Sequence, residues 1–123
     1  MKLLTKELRK KLPPIGSTDG AGEEAVAQVK FFTPDSSWTW FVVEGGPVLD
    51  EEGNEVDFEL FGLVYGLEKE IGYFCLSELE SVRGPLGLPI ERDLYLTPKP
   101  LCECKDPCGI HGNRGEREGK GLR

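Results

Sequence analysis

The residues best suited to chemistry lie near the C-terminal end of the chain. Three cysteines and the only histidine fall within ten residues: Cys102, Cys104, Cys108 and His111. Three thiolates and one imidazole suit tetrahedral zinc. Four protein ligands leave no position for water or substrate, so such a zinc would be structural rather than catalytic.

Other interpretations of this cluster stay open. The spacing departs from paired CxxC motifs, and the single residue between Cys102 and Cys104 makes a tight chelate. The cysteines are interpreted as structural zinc ligands, as reduced thiols without a metal, or as a redox or iron–sulfur site. Any histidine-dependent catalysis would need His111, which lies in a glycine-rich segment poorly suited to precise geometry. We therefore predict no catalytic residue.

The second feature is an excess of carboxylates. The net charge is -7, but residues 13–101 contain seventeen acidic residues and only five basic ones. The densest acidic stretch comprises Asp50, Glu51, Glu52, Glu55, Asp57 and Glu59. The acidic body formed by residues 13–101 repels nucleic acid, because nucleic-acid binding needs clustered Lys and Arg. We expect a basic protein partner, and no direct contact with nucleic acid or membrane.

Two tryptophans and two arginines complete the candidate partner-binding set. Trp38 and Trp40 are two residues apart, so they lie on the same face of a predicted strand. Arg83 and Arg92 flank a Gly-Pro-Leu-Gly-Leu-Pro run. Tryptophan anchors interfaces well, although strand aromatics also build cores. The run between the arginines is either a rigid recognition loop or a tight crossover. A pocket beneath the tryptophans, with Arg83 or Arg92 as an anion anchor, is an alternative.

The elements that must position these residues follow from periodicity and turn signals. Thr5 can cap a helix over Lys6–Leu12, whose leucine stripe should dock on the protein's own sheet. Alternation and turn residues predict strands over Ala25–Phe32, Ser37–Val43, Phe58–Tyr65, Ile71–Leu76 and, at one edge, Ile90–Leu96. Glu44–Glu55 reads as a long hairpin loop, and Ser77 as the cap of a helix that ends at Val82.

These elements predict an α+β fold: an antiparallel sheet of four or five strands, two short helices and a cysteine-containing C-terminal tail. Residues 1–101 would form one domain, and residues 102–123 a Cys/His-bearing, glycine-rich tail. The 123 residues suffice for one core. No apolar run could span a bilayer or serve as a signal peptide, so we expect a cytoplasmic protein with reduced thiols.

Three stretches carry a family resemblance. They are MKLLTKELRKKLPP, VKFFTPDSSWTWFVVE and FGLVYGLEKEIGYFCLSELESVRGPLGLPIERDLYLTPKPL. Over about residues 1–101 the chain resembles small bacterial proteins of unknown function encoded on plasmids, integrative elements and phages. The resemblance implies no activity or cofactor. The resemblance also implies that family members usually carry a polar residue where this chain has Cys75. This argues against a nucleophilic role for that thiol.

We hypothesise a non-enzymatic acidic protein of a mobile element that binds a basic partner, such as a host nuclease or DNA-processing protein. One version is an anti-defence inhibitor whose carboxylates mimic nucleic acid. The alternatives are a small-ligand binder or enzyme that uses the tryptophan pocket, and a weak nucleic-acid-binding accessory protein that uses its basic termini.

Overall fold

The computed structural model describes residues 3–104. The helices are α1 (Lys6–Lys11) and α2 (Leu76–Ser81), and short 3-10 turns span Gly22–Glu24 and Leu101–Glu103. The strands are β1 (Val26–Ala27), β2 (Val29–Phe32), β3 (Thr39–Leu49), β4 (Glu55–Tyr65), β5 (Lys69–Cys75), β6 (Glu91–Arg92) and β7 (Lys99–Pro100). The fold is a mixed α+β arrangement dominated by antiparallel sheet.

Within the described residues, five strands form the main sheet in the order β5-β4-β3-β2-β6, and β1 pairs with β7 in a separate two-stranded sheet. Strand β3 is central in the sheet, and other elements cover both of its faces. Trp40 and Val42 are buried on one face, and Phe41 and Val43 on the other. The prediction of a doubly covered strand around Trp40 is confirmed.

The helix face of the sheet carries Trp40 and Val42 and packs against α1 and α2. Thr5 caps α1, because its hydroxyl accepts a hydrogen bond from the Leu8 N–H at 3.2 Å. Leu4 and Leu12 are buried in this core, and Leu8 packs at its margin. The prediction that the leucine stripe docks on the sheet is confirmed.

The opposite face, here called the strand face, carries Phe41, Val43 and Leu63. It is covered by the β1–β7 pair and by the turn that follows β7, with Ala27, Leu101 and Cys104 buried in the same cluster. Since Cys104 belongs to this core, the packed structure continues past residue 101.

The hairpin of β3 and β4 corrects the prediction of a loop over Glu44–Glu55. Strand β3 continues to Leu49, and the turn occupies only residues 50–54. Gly45 and Pro47 suggest a turn by composition, but tertiary contacts explain both. A Cβ on Gly45 would lie 2.9 Å from Leu12 Cδ1. Pro47 fits because β2 pairs with β3 only from Thr39 to Val42, so one side of β3 is an edge there.

Other element boundaries also differ from prediction. Strand β3 begins at Thr39 rather than Ser37, and β5 spans Lys69–Cys75 rather than Ile71–Leu76, because Leu76 begins α2. The strand expected over Ala25–Phe32 divides into β1 and β2, which pair with different partners. The edge strand expected over Ile90–Leu96 is reduced to β6. Helix α2 starts at Leu76 with Cys75 as its cap residue, and Glu78 Oε1 accepts the Cys75 N–H at 2.8 Å. Ser77 does not cap α2, because its hydroxyl donates to Asp57 instead.

Candidate functional site

The six predicted carboxylates lie along the β3–β4 hairpin, at its tip and on β4. Three of them hold local structure. Asp50 Oδ1 accepts the N–H groups of Glu52 and Asn54, both at 2.9 Å, which fixes the hairpin turn. These backbone hydrogen bonds, the one from Asn54 foremost, lower the pKa of Asp50.

Glu55 and Asp57 hold the hairpin to neighbouring elements. Glu55 Oε2 lies 2.8 Å from the Arg9 guanidinium, which also stacks 4.5 Å from the centre of the Phe58 ring. Asp57 accepts the hydroxyl and N–H of Ser77, and the hydroxyl bond is the main cause of its lowered pKa. Glu51 and Glu52 are exposed at the tip. The structure therefore separates anchoring carboxylates from outward-facing ones.

Carboxylates also surround Cys75, where β5 meets α2. Partial burial and the charges of Asp57, Glu78 and Glu59 raise the pKa of this thiol. A thiol with a raised pKa is a poor nucleophile at neutral pH. The environment of Cys75 thus indicates a locally negative surface rather than a reactive centre.

The tryptophans and Arg83 meet at a cavity of about 350 Å³. Trp38 and Trp40 stack with ring centres 6.0 Å apart, and Trp38 is 38% exposed whereas Trp40 is buried. The cavity is also lined by Thr33, Ser36, Val82, Gly84 and Pro85. Arg83 Nη1 donates to the carbonyls of Glu80 and Val82 at 2.9 and 2.8 Å. The guanidinium is thus anchored to backbone carbonyls near the end of α2, and Arg83 lines the same cavity as the two tryptophans.

Arg92 lies apart from this cavity. It lines a different depression of about 310 Å³ with Phe32 and Tyr95, and its Nη1 donates to the Leu3 carbonyl at 3.0 Å. Of the two predicted anion anchors, the structure brings only Arg83 to the tryptophans.

The loop between Arg83 and Pro89 is held by Asp35, a residue that sequence reasoning missed. Asp35 Oδ2 accepts the N–H groups of Leu86 and Leu88 at 2.8 and 3.4 Å, and the Gly84 N–H donates to the Leu88 carbonyl at 2.9 Å. Asp35 Oδ1 is buried without a hydrogen-bond partner among the described residues. The loop is an ordered crossover that leaves Leu86 79% exposed.

The zinc-ligand prediction falls only partly within the described residues. Cys104 is buried and its thiol donates to the Pro100 carbonyl at 3.5 Å, whereas Cys102 is exposed with its thiol 3.9 Å from Glu24 Oε2. Desolvation raises the pKa of both thiols. Cys108 and His111 lie outside the described residues. Within residues 3–104, no three His, Cys, Asp or Glu side chains form a group suited to a metal ion.

Strand β5 is a further feature that sequence reasoning did not identify as functional. It forms one edge of the main sheet and exposes Ile71 and Tyr73. One sequence feature could have indicated this edge: the predicted strand Ile71–Leu76 follows three other predicted strands and comes last in that antiparallel series.

The fold and these surfaces define a small, sheet-dominated α+β protein with an acidic hairpin. The chain belongs to the family described as "Protein of unknown function (DUF2958)", whose model matches residues 3–106. The match includes Cys102 and Cys104, so it extends beyond the residue 101 at which the resemblance was expected to end. No curated protein and no solved structure matches the chain. Across the described part, no helix has the length and apolar character needed to cross a membrane.

Proposed function

We propose that this protein is a non-enzymatic binding module whose acidic surface recognises a basic protein partner. The charge distribution carries this proposal. Nineteen acidic and nine basic residues lie within residues 3–104, a net charge of -10, and four of the nine bases lie on α1. A field of this sign accelerates association with basic surfaces and opposes contact with nucleic acid.

The finer form of the proposal is an inhibitor made by a mobile genetic element and acting in the cytoplasm. It would occupy the nucleic-acid cleft of a host defence nuclease or DNA-processing protein. The rigidity of the hairpin supports this form, because the Asp50 hydrogen bonds hold Glu51 and Glu52 at a fixed turn. A cleft built to bind phosphates can accept carboxylates held at fixed positions.

The test is affinity capture of partners from the native host at low and high salt. A basic partner recovered at low salt should then bind the purified chain, and Glu51→Lys/Glu52→Lys should weaken that binding at least about tenfold. The double variant Glu80→Lys/Glu103→Lys makes the same change in net charge at exposed positions away from the tip and should weaken it less. Equal losses would contradict a role for the hairpin tip, and recovery of no basic partner would contradict the proposal.

A second candidate function is the binding of a small anionic ligand, favoured by the cavity beneath Trp38 and Trp40. Arg83 would contact the anion, and the rings would stack on an apolar or planar part of the ligand. Titration of cytosolic nucleotides, sugar phosphates and carboxylates should quench tryptophan fluorescence and raise the melting temperature. Arg83→Gln should abolish both effects, whereas Arg92→Gln should leave them. No response to any of these compounds would contradict this candidate.

A third candidate, weak nucleic-acid binding, rests on the basic residues of α1: Lys6, Arg9, Lys10 and Lys11. It predicts affinity for DNA or RNA that falls steeply with salt. The acidic body opposes it, so we place it behind the other two.

A further inference from the structure

Among the described residues, strand β5 ends the main sheet and has a strand partner on one side only. The strand is seven residues long and pairs with β4 along its whole length without a register shift. It ends the sheet order, and within residues 3–104 no other strand pairs with its outer side. The backbone N–H and C=O groups of such an edge are available to another strand.

The two edges of the sheet differ in how they are protected. The opposite edge is β6, which is only two residues long, and very short edge strands resist pairing. Strand β5 contains no proline and no bulge, and its single lysine, Lys69, lies at its start in an ion pair with Glu23 at 3.0 Å. The usual barriers to strand addition are therefore weak along most of β5.

The side chains of β5 also suit a pairing partner. Ile71 and Tyr73 lie on the strand face, where they are 45% and 58% exposed. Tyr73 packs against Phe61 of β4, with ring centres 4.7 Å apart. An added strand would place alternate side chains beside Ile71 and Tyr73, an arrangement that stabilises sheets through cross-strand contacts.

The charge around β5 identifies the kind of strand that fits. Glu59 pairs with Cys75 across β4 and β5, and Glu70 lies on β5 itself. Asp57 and Glu78 act electrostatically on the Cys75 thiol at the end of the strand. A second copy of this chain carries the same net charge of -10 over residues 3–104 and would be repelled, whereas a basic segment would neutralise these carboxylates.

We propose that β5 binds an extended, basic segment of a partner protein as an added strand of the main sheet. This inference rests on the proposed function and names the structural form of the partner. Backbone hydrogen bonds would supply affinity, and contacts with Ile71, Tyr73 and the neighbouring carboxylates would supply specificity.

The probe is a nine-residue peptide of alternating lysine and valine, used with the full-length chain. Its control has two central valines replaced by proline, which keeps the charge but removes strand pairing. The first peptide should bind at least about tenfold more tightly than the second. It should also slow hydrogen exchange of outward-facing β5 amides, and Ile71→Lys or Tyr73→Lys should reduce its affinity at least about tenfold.

A matched variant separates strand addition from simple charge. Tyr95→Lys makes the same substitution as Tyr73→Lys at a tyrosine that is 90% exposed and follows β6. It should leave peptide affinity within about twofold. If both peptides bind equally well, or if Tyr95→Lys weakens binding as much as Tyr73→Lys, strand addition is overturned while the acidic proposal stands.

Hydrogen exchange in the free full-length chain tests whether a second copy, or another part of the same chain, covers the edge of β5 instead. The outward-facing β5 amides should exchange rapidly at all protein concentrations. Protection that rises with concentration would identify a second copy as the occupant, and protection independent of concentration would show that the chain covers its own edge. Either result, or failure of the lysine–valine peptide to bind, overturns the inference. The partner-capture experiment tests the proposed function separately.

Discussion

Glu44 departs most clearly from the rule that carboxylates lie at the surface. It is 1% exposed, and it accepts the N–H groups of Gly16 and Thr18 at 2.8 and 2.7 Å as well as the Thr18 hydroxyl. Burial favours the neutral acid, but the three hydrogen bonds together outweigh it and lower the pKa of Glu44. The carboxylate therefore fixes the loop between α1 and β1 to the strand face while it is ionised.

Glu44→Gln should destabilise the fold by about 1–3 kcal/mol at neutral pH, because an amide replaces the carboxylate that accepts three hydrogen bonds. Since the folded-state pKa lies below the usual 4.5, the stabilisation by Glu44 is present above that pH. It is lost as the pH falls through the folded-state value. Denaturant unfolding of both proteins between pH 7 and pH 2 should therefore show a difference that shrinks on acidification.

Glu52→Gln serves as the control, because Glu52 is exposed at the hairpin tip. Its stability should stay within about 0.5 kcal/mol of the parent at each pH. A pH-independent loss in Glu44→Gln would contradict a role for the ionised carboxylate.

At the scale of the element, glycines that face each other in the sheet have different roles. Gly62 of β4 and Gly72 of β5 are register partners. A Cβ on Gly62 would clash with the Phe41 carbonyl oxygen, whereas a Cβ on Gly72 would meet nothing within 4 Å. Gly62 therefore permits the close approach of β3 and β4, whereas no close approach requires a glycine at position 72.

Gly62→Ala should cost more than about 3 kcal/mol or prevent folding, because backbone atoms of β3 would have to move. Gly72→Ala should be neutral or stabilising by up to about 1 kcal/mol, because alanine loses less conformational entropy in a strand. Thermal unfolding of the two variants checks this contrast. Similar melting temperatures for both would contradict the close packing of β3 and β4 at Gly62.

Element identity was more predictable than element length. The strand around Trp40 was predicted to be buried because it has apolar side chains on both faces, as a strand covered on both sides requires. The same logic failed at Gly45 and Pro47, whose turn-forming composition conceals a strand. Their local preferences are overridden by the contact of Gly45 with Leu12, the residue after α1, and by the edge position of that part of β3.

At the scale of the whole molecule, the zinc prediction concerns whether the C-terminal cysteines and the histidine act together. If Cys102, Cys104, Cys108 and His111 bind zinc, native mass spectrometry should show one zinc per chain that a chelator removes. Cys108→Ser should abolish the mass step, and Cys75→Ser should retain it. Absence of the step in the parent protein would contradict the zinc prediction.

The candidate site was also only partly predictable from the sequence. The acidic character of the surface was predictable from composition, because carboxylates are rarely buried. Composition did not reveal that Asp50, Glu55 and Asp57 hold local structure, or that Arg83 and Arg92 line different depressions. Those facts depend on which distant segments meet.

The sequence by itself determined the antiparallel α+β class, the docking of α1, the central strand at Trp40 and the excess of negative charge. These follow from periodicity and composition, which act over a few residues. Only the tertiary structure decided that Glu44 is buried, that Asp35 holds the loop after Arg83, and that β5 is an edge strand of the sheet formed within residues 3–104. The reason is that burial and pairing depend on contacts between residues far apart in the chain.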